Sequence, residues 1–288
     1  MFLGSVLIWG VAVYFDAKTD AADDRSAYTI PRQVYYEFTL QNTGSQLLEN
    51  AEFRTYAPVK QTANQRCDAI TASHPFDLSI DGLGNQILYF KLKALPPYAT
   101  RIIRITADLR LSEGAKPNSP DAPALWLKAE KYIEADHPAI QSTARQLKSS
   151  DVLQTANNIF QWVAGHIQYA GYIKNDRGAL YAHTYRKGDC TEYMYLFAAL
   201  CRANAIPSRG VGGYICPENT ILKVAGFHNW AEFYQDGAWH IADPQNRFFF
   251  KNTAGYIAMH IMGNQGDGAE NRFNRFSYKG DGLKVSMN

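Results

Sequence analysis

Three side chains that could do the chemistry of a cysteine enzyme occur in order in the second half of the chain. Cys190 lies in Gly-Asp-Cys-Thr-Glu, His228 in His-Asn-Trp and Asp243 in Ala-Asp-Pro. A thiol becomes a strong nucleophile when it loses its proton, and a histidine held by a carboxylate can take that proton. The residue types and their order therefore predict Cys190 as nucleophile, His228 as its base and Asp243 as the group that orients the base.

Cys190 is predicted to lie in the first turn of a helix. The residues after it include few helix breakers and place Met194, Phe197 and Leu200 at helical spacing, while Asp189 is a suitable N-cap. The N-terminal end of a helix stabilises an anion, either the thiolate or an oxyanion at the attacked carbonyl. A lone cysteine is more often a small buried hydrophobic residue, so the assignment depends on the other two residues.

His228 and Asp243 are predicted to share one face of a β-hairpin. Two strand-like runs, 227–234 and 238–243, flank Asp236-Gly237, a dipeptide typical of a tight turn. A two-residue turn would pair Tyr234 with Trp239, Trp230 with Asp243 and His228 with Gln245. Because alternate residues of a strand point to the same face, His228 and Asp243 become diagonal neighbours, about 7–8 Å apart at the backbone. Their side chains can close that distance to a hydrogen bond.

These motifs resemble the core of the transglutaminase-like superfamily over about 159–246. The chain also carries Ala-Ile-Pro-Ser-Arg at 205–209, where the superfamily has a turn like Gly-Ile-Pro-x-Arg, followed by Val-Gly-Gly-Tyr. The resemblance implies a papain-like α+β domain in which the cysteine helix packs against an antiparallel sheet bearing the histidine and the aspartate. It also implies an oxyanion donor upstream of the cysteine, a role for which Tyr169 and Tyr172 are both candidates.

The resemblance further implies attack of a thiolate on an amide carbonyl, with a thioester formed and an amine released. We expect an enzyme that acts on a protein or peptide, with hydrolysis favoured over acyl transfer. The residues from 169 to 185 contain no pair of acids that could attract a lysine, although Glu192 and Glu232 could form such a pair from other elements. The alternative is a catalytically silent module that binds protein or cell wall. Such a module would not need Cys190, His228 and Asp243 together.

The N-terminal part of the chain has the pattern of a small β-sandwich. Strand-like runs separated by turn residues occur at 34–40, 51–58, 77–80, 86–92 and 100–111. Short strands at regular intervals favour an immunoglobulin-like sandwich. We therefore expect an α+β protein with a sandwich domain at 30–111, a linker at 112–123 rich in Pro, Gly and Ser, and a transglutaminase-like catalytic domain at 124–288.

The catalytic part is predicted to begin with helices. Short helices are expected at 126–133 and 139–147, and Ser150-Asp151 should cap a longer helix that continues through Ile167. The segments 164–187 and 262–282 are rich in glycine and polar residues, so both are predicted to be loops.

The first fifteen residues are apolar, with no charge before Asp16. A helix of this length spans about 22 Å, short of the roughly 30 Å of a bilayer core, but it suits the apolar region of a signal peptide. We expect residues 1–21 to be a signal peptide or, alternatively, a membrane anchor; a third interpretation of the apolar run is a buried first strand or helix. The protein would then be exported, either periplasmic or attached to the membrane through its N-terminus and facing outside the cytoplasm.

Composition argues against other classes of function. The formal net charge of the 288-residue chain is +2 with both signs mixed throughout, which gives no basic footprint for nucleic acid. The four cysteines form no Cys-x-x-Cys and have no histidine spacing suited to zinc, so no metal or other cofactor is expected. Cys190 and Cys201 lie about 16 Å apart on one helix and cannot bond. In an exported protein Cys67 and Cys216 could form a disulfide, although nothing in the sequence places them together.

Overall fold

The computed structural model describes residues 12–14, 28–117, 123–263 and 273–288. It is a mixed α+β structure, as predicted, with two packed β-sheets that start near the N-terminus and a group of helices on a third sheet. The predicted signal peptide or anchor at 1–21 lies outside the described residues apart from β1 (Ala12–Tyr14). Among the helices of the described ranges, none is long and apolar enough to cross a membrane.

The two N-terminal sheets face each other across an apolar core. One sheet has the order β1, β4 (Gln65–Ala72), β7 (Thr100–Leu111) and β2 (Ile30–Asn42), all antiparallel. The other contains β3 (Leu48–Ala57), β6 (Gln86–Leu95) and β5 (Asp77–Ile80). Buried and exposed residues alternate along β7, as expected for a strand with one face on a core. Aromatic rings join the sheets: the centroids of Phe38 and Phe53 are 4.8 Å apart.

All five predicted strands of this part are confirmed, and β4 was missed. The sequence of β4, Gln-Arg-Cys-Asp-Ala-Ile-Thr-Ala, carries polar residues and a register shift between Cys67 and Ala69. That irregularity breaks the alternation on which a sequence prediction depends. The strand is defined by its hydrogen bonds to β7, and its own sequence carries no clear strand pattern.

The C-terminal end of the chain returns to the N-terminal sheets. β16 (Phe276–Lys279) pairs with β3, and β17 (Leu283–Met287) pairs with β2. The prediction of a loop throughout 262–282 is therefore wrong at β16, because a short strand on a sheet edge is fixed by its distant partner. These strands lie in the sandwich sheets although the predicted catalytic domain extends to 288. The division into 30–111 and 124–288 stays a prediction.

The helical layer consists of α1 (Pro138–Leu147), α2 (Val152–His166), α3 (Ala179–Tyr185) and α4 (Cys190–Ala203). The predictions for α1 and α2 are confirmed, and Asp151 caps α2 by accepting a hydrogen bond from the Gln154 backbone N–H at 2.8 Å. α3 lies in a segment predicted as loop. It is seven residues long, too short for a periodic signal, and it is stabilised by burying Ala179 and Ala182.

The predicted helix at 126–133 is wrong. The chain forms only a short 3-10 helix at Pro123–Leu127, and Glu130 bridges to Ile133 as extended chain. Trp126 explains the difference, because its ring is buried and packs edge-on against Trp239 with centroids 6.1 Å apart. Tertiary packing here overrides helix propensity.

The third sheet carries the candidate site. Its five strands run in the order β14 (Phe248–Phe249), β13 (Ala238–Asp243), β12 (Phe227–Gln235), β10 (Ser208–Ile215) and β15 (Tyr256–Met262), all antiparallel. Helix α4 packs on β12 through contacts such as Phe197 with Phe233. A small parallel ribbon of β8 (Gln168–Tyr169) and β9 (Lys187–Gly188) ends directly before Asp189 and Cys190. The remaining strand, β11 (Thr220–Ile221), joins β2 of the sandwich.

Candidate active site

Cys190 is the first residue of α4, as predicted. Asp189 is the N-cap: its Oδ1 accepts a hydrogen bond from the Thr191 backbone N–H at 2.9 Å. Glu192 completes a capping box by accepting from the Asp189 backbone N–H at 3.0 Å. Cys190 is partly exposed, whereas the other three cysteines are buried. The thiol therefore lies at the positive end of a helix dipole with access to solvent.

The same two carboxylates, those of Asp189 and Glu192, anchor the segment that connects the two strands of the ribbon. Asp189 Oδ2 accepts from the Ile173 backbone N–H at 2.8 Å, and Glu192 Oε1 accepts from the Arg177 backbone N–H at 3.0 Å. Burial raises the pKa of Glu192, even though the backbone N–H groups of Asp189 and Arg177 favour its charged form. A Cβ at Gly188 would collide with the Cβ and Cγ of Glu192, so glycine is required for this packing. The Gly-Asp-Cys-Thr-Glu motif is thus one interlocked unit.

The predicted hairpin is confirmed, and its predicted register is confirmed where the two strands pair, from Ala231 opposite Ala242 to Gln235 opposite Ala238. Tyr234 pairs with Trp239 and Gln235 with Ala238 across the turn. Asp236 and Gly237 both have positive φ, 52° and 81°, as a two-residue turn of this kind requires. The turn therefore sets which residues of β12 and β13 share a face.

His228 and Asp243 meet as the register requires. His228 Nε2 lies 2.7 Å from Asp243 Oδ2, and the Asp243 side chain is only 1% exposed. The contact occupies Nε2 and leaves Nδ1 as the ring nitrogen available to a thiol.

The charge of His228 is set by its two neighbours. Burial alone would lower the pKa of His228, but the hydrogen bonds and negative charges of Asp243 and Cys190 outweigh it and raise the pKa to about 9. Near neutral pH the imidazole is therefore protonated beside Cys190. A thiolate next to an imidazolium is the reactive form of a cysteine nucleophile.

A hydrogen bond joins α4 to β12 through two residues that are adjacent in the sequence to Cys190 and His228. Asn229 Nδ2 donates to Thr191 Oγ1 at 3.0 Å. These residues directly follow His228 and Cys190, so this bond fixes the position of α4 relative to β12. Sequence reasoning gave neither residue a role.

Two further residues reach Asp243, and both were missed. Tyr256 Oη donates to Asp243 Oδ2 at 3.0 Å, and Asn246 Nδ2 donates to the same oxygen at 2.8 Å. Asn246 follows Asp243 by three residues in Asp-Pro-Gln-Asn, which is a local signal that could have been found. Tyr256 comes from β15, and nothing in its own sequence context points to the site.

The acidic residues considered for an amine site are all occupied. Glu232 forms a buried ion pair with Arg209 at 2.8 Å, and Glu192 serves the capping box. Asp176 accepts from Tyr195 Oη at 2.9 Å, and Asp189 is the N-cap. The carboxylates near the thiol therefore already have structural partners.

Tyr169 and Tyr172, the candidates for an oxyanion donor, are 60% and 78% exposed. Tyr169 pairs with Gly188 in the ribbon, and Gly188 precedes Cys190 by two residues. The structure does not choose between the two, and the role stays a prediction.

All four cysteines are free thiols, so Cys67 and Cys216 form no disulfide. Burial raises the pKa of Cys67 to about 12 and that of Cys216 to about 11, and it also raises the pKa of Cys201. These three thiols are therefore unreactive near neutral pH. Within the described part of the chain, no cluster of three His, Cys, Asp or Glu side chains could hold a metal ion.

Comparisons with known proteins bear on the same region. The family model described as transglutaminase-like superfamily matches residues 141–244. No curated protein sequence matches the chain. Among solved structures, a protein described as a candidate cysteine protease from Cytophaga hutchinsonii is 19% identical, with a TM-score of 0.55 over 90% of this chain and 92% of that chain. The periplasmic domain of TgpA from Pseudomonas aeruginosa is 15% identical, with a TM-score of 0.42 over 74% and 88% of the two chains. The first alignment shows a shared fold that includes the N-terminal sheets.

Proposed function

We propose that this protein, which belongs to the transglutaminase-like superfamily, is a cysteine-dependent hydrolase of amide bonds in a protein or peptide. Cys190 is the nucleophile, His228 the acid and base, and Asp243 the group that orients His228. The single observation that carries the proposal is the 2.7 Å contact between His228 and a buried Asp243, with Cys190 close enough to raise the pKa of the same histidine.

The first half of the reaction transfers an acyl group to the enzyme. The Cys190 thiolate attacks the amide carbonyl carbon, and a bond forms between Sγ and that carbon. The His228 imidazolium then donates its proton to the nitrogen as the carbon–nitrogen bond breaks. An amine leaves, and a thioester remains on Cys190.

The second half returns the enzyme to its starting state. Neutral His228 takes a proton from a water molecule while the water oxygen attacks the thioester carbonyl. The carbon–sulfur bond breaks, an acid is released, and the thiolate and imidazolium are restored. Asp243 stabilises the imidazolium and does not itself take up the proton.

Water is favoured as the acyl acceptor over an amine. A lysine acceptor needs a negative partner near the thioester, and the nearby acids are engaged: Glu232 with Arg209, Asp176 with Tyr195, and Glu192 with backbone N–H groups. Glu192 and Glu232 are also buried, so a substrate could not reach either carboxylate without displacing its partner. The engagement of these carboxylates supports hydrolysis. Acyl transfer is the alternative outcome of the second experiment below.

Three further proposals go with this function. The N-terminal sandwich is of immunoglobulin-like type, on the basis of its short, regularly spaced strands. The protein is exported, on the basis of the apolar run at 1–15. A catalytically silent binding module is disfavoured. Such a module would not need a histidine that is hydrogen-bonded to a buried carboxylate and lies beside an accessible thiol.

The first experiment asks whether Cys190 is activated. The protein is treated with iodoacetamide at pH 7, and modified cysteines are located by mass spectrometry. We expect alkylation of Cys190 with Cys67, Cys201 and Cys216 protected by burial. Equal modification of all four thiols after unfolding is the control, and a Cys190 no faster than a free thiol would contradict the proposal.

The second experiment asks what takes the acyl group. Casein is incubated with the enzyme and a saturating primary amine, and the products are weighed by mass spectrometry. We expect free acid to dominate over amine adduct, and both to disappear in Cys190→Ala. If the amine adduct dominates and its formation requires Cys190, the proposed reaction is acyl transfer and not hydrolysis. If products still form with Cys190→Ala, the proposed mechanism is wrong.

A further inference from the structure

Asp243 receives more hydrogen bonds than an orienting carboxylate needs for its histidine alone. Its Oδ2 atom accepts from His228 Nε2 at 2.7 Å, Asn246 Nδ2 at 2.8 Å and Tyr256 Oη at 3.0 Å. Its Oδ1 atom accepts from the Asn246 backbone N–H at 3.2 Å. An ionised carboxylate has about four acceptor positions, so these donors replace the water that a 1% exposed side chain lacks.

Tyr256 differs from the other donors because it is held by the core. It lies on β15, which pairs with β10 and not with the hairpin. The ring is 4% exposed, and its centroid is 5.1 Å from that of Trp230 and 4.7 Å from that of Phe248. Two aromatic neighbours therefore fix where the phenol points.

The phenol always donates to the carboxylate. Burial and the negative charge of Asp243 raise the pKa of Tyr256 far above its ordinary value, so the hydroxyl keeps its proton at any pH at which a thiolate and an imidazolium coexist. A hydrogen bond from a neutral donor to a charged acceptor is among the stronger kinds.

We infer that Tyr256 is a positioning residue: its hydroxyl fixes Asp243 Oδ2 so that this oxygen stays aligned with His228 Nε2 while His228 gains and loses its proton. The inference rests on the proposed function, in which His228 carries that proton. A carboxylate can rotate about its Cβ–Cγ bond, and Asn246, on an exposed turn, restrains it less firmly than a buried ring does. Tyr256 touches neither the thiol nor a substrate in this role.

The test is Tyr256→Phe, which removes the hydroxyl and keeps the ring. The matched control is Tyr36→Phe, another buried tyrosine whose hydroxyl donates to a backbone carbonyl, that of Tyr56 at 3.2 Å, in the sandwich. We expect kcat on casein to fall about tenfold or more in Tyr256→Phe, with KM within about twofold, because a stabilising contact is lost away from the substrate. Tyr36→Phe should keep wild-type kcat.

A second readout does not require turnover. The rate of Cys190 alkylation by iodoacetate is measured from pH 5 to 10. Because this reagent is an anion, loss of the positive charge on His228 slows it, so the upper end of the reactive range reports loss of the His228 proton. We expect this upper end to move to lower pH in Tyr256→Phe, because a less firmly held carboxylate stabilises the imidazolium less. If wild-type enzyme fails to act on amides, the proposed function fails, while the alkylation profile still decides the role of Tyr256.

Several results would overturn the inference. Tyr256→Phe could show the wild-type kcat and alkylation profile, which would make the hydroxyl purely structural. The upper end of the profile could instead rise, which would mean that the hydroxyl withdraws negative charge from His228. If Tyr256→Phe does not fold, Asn246→Ala removes the other side-chain donor to Oδ2 from an exposed position and leaves Tyr256 in place. We expect the wild-type profile in that variant, and an upper end moved to lower pH would mean that Asn246, and not Tyr256, holds the carboxylate.

Discussion

Replacing Asp243 by asparagine removes one charge and changes almost no volume. The new amide has one acceptor, whereas Asp243 Oδ2 receives three donors and Oδ1 receives the Asn246 backbone N–H. The amide oxygen is expected to take the place of Oδ2, because the opposite orientation sets an NH2 group against three donors. The NH2 group then faces the backbone N–H of Asn246, and that hydrogen bond is lost.

The larger effect falls on His228. Its pKa in the native protein is about 9, and the difference from the ordinary 6.5 corresponds to about 3 kcal/mol, shared between Asp243 and Cys190. Because the native pKa is raised, this stabilisation is fully present below about pH 6.5 and is lost as the pH rises through 9. Without the carboxylate, the pKa of His228 falls toward 6.5. At pH 8 only about 3% of a histidine with that pKa is protonated.

We therefore expect Asp243→Asn to lower kcat/KM at pH 8 by at least about 30-fold from protonation alone, and by about 10²–10⁴-fold once loss of ring orientation is added. The loss should be smaller at pH 6, where His228 is protonated in both proteins. The unfolding free energy should fall by no more than about 3 kcal/mol, and this difference should shrink above pH 9. A profile of kcat/KM from pH 5 to 10, with thermal unfolding at each pH, measures both effects.

Asp236→Asn is the matched control. It makes the same substitution in the turn of the same hairpin, at an exposed residue with positive φ that asparagine tolerates equally well. Its profile should overlay that of the wild type. The reasoning is refuted if Asp243→Asn keeps the upper limit of the wild-type profile, or if its loss of activity is the same at pH 6 and pH 8.

Three other outcomes can be checked by unfolding and turnover measurements. Gly188→Ala should displace Glu192, lower the unfolding free energy by at least about 2 kcal/mol and lower activity. The control is Gly165→Ala in α2, where the space around the new Cβ is open, and it should raise the unfolding free energy by about 0.5–1 kcal/mol. Equal effects of the two substitutions would contradict the interlocked motif. Glu232→Gln should cost about 3–5 kcal/mol, because it removes the negative charge from a buried ion pair with Arg209. The ratio of acid to amine adduct should not change, and a changed ratio would make Glu232 part of an acceptor site. Burial lowers the pKa of His260 to about 4, so the unfolded chain takes up a proton first and stability should fall as the pH drops from about 6.5 toward 4. His260→Phe, which keeps the stacking on Tyr56, should flatten that fall, and an unchanged slope would exclude His260 as its source.

The part of the site that sequence reasoning found is the part fixed by local rules. An N-cap aspartate, a helix start and an Asp-Gly turn each act within a few residues, and together they place Cys190 in the first turn of α4 and put His228 and Asp243 on one face. The period of two along a strand then determines the His228–Asp243 contact. These signals need no knowledge of the rest of the fold.

The parts that were missed depend on distant partners. β16 is defined by its pairing with β3, more than two hundred residues earlier, and α3 by its burial against α4. Tyr256 lies thirteen residues after Asp243, but the path between them crosses to the far edge of the sheet. In the sequence, the residues that make such contacts look like ordinary apolar or aromatic residues. No local pattern therefore distinguishes these residues from the rest of the core.

The buried polar residues around the thiol divide into two groups with opposite consequences for catalysis. Glu192 and Asp189 accept hydrogen bonds from backbone N–H groups and Glu232 pairs with Arg209, so these three carboxylates build the framework of the site. Asp243 instead directs its charge at His228, and its remaining acceptor positions are filled by Tyr256 and Asn246. Asp243 therefore differs from these three carboxylates, because one of its partners, His228, is a side chain that can gain and lose a proton. This division supports our proposal that water, and not a charged amine, releases the acyl chain.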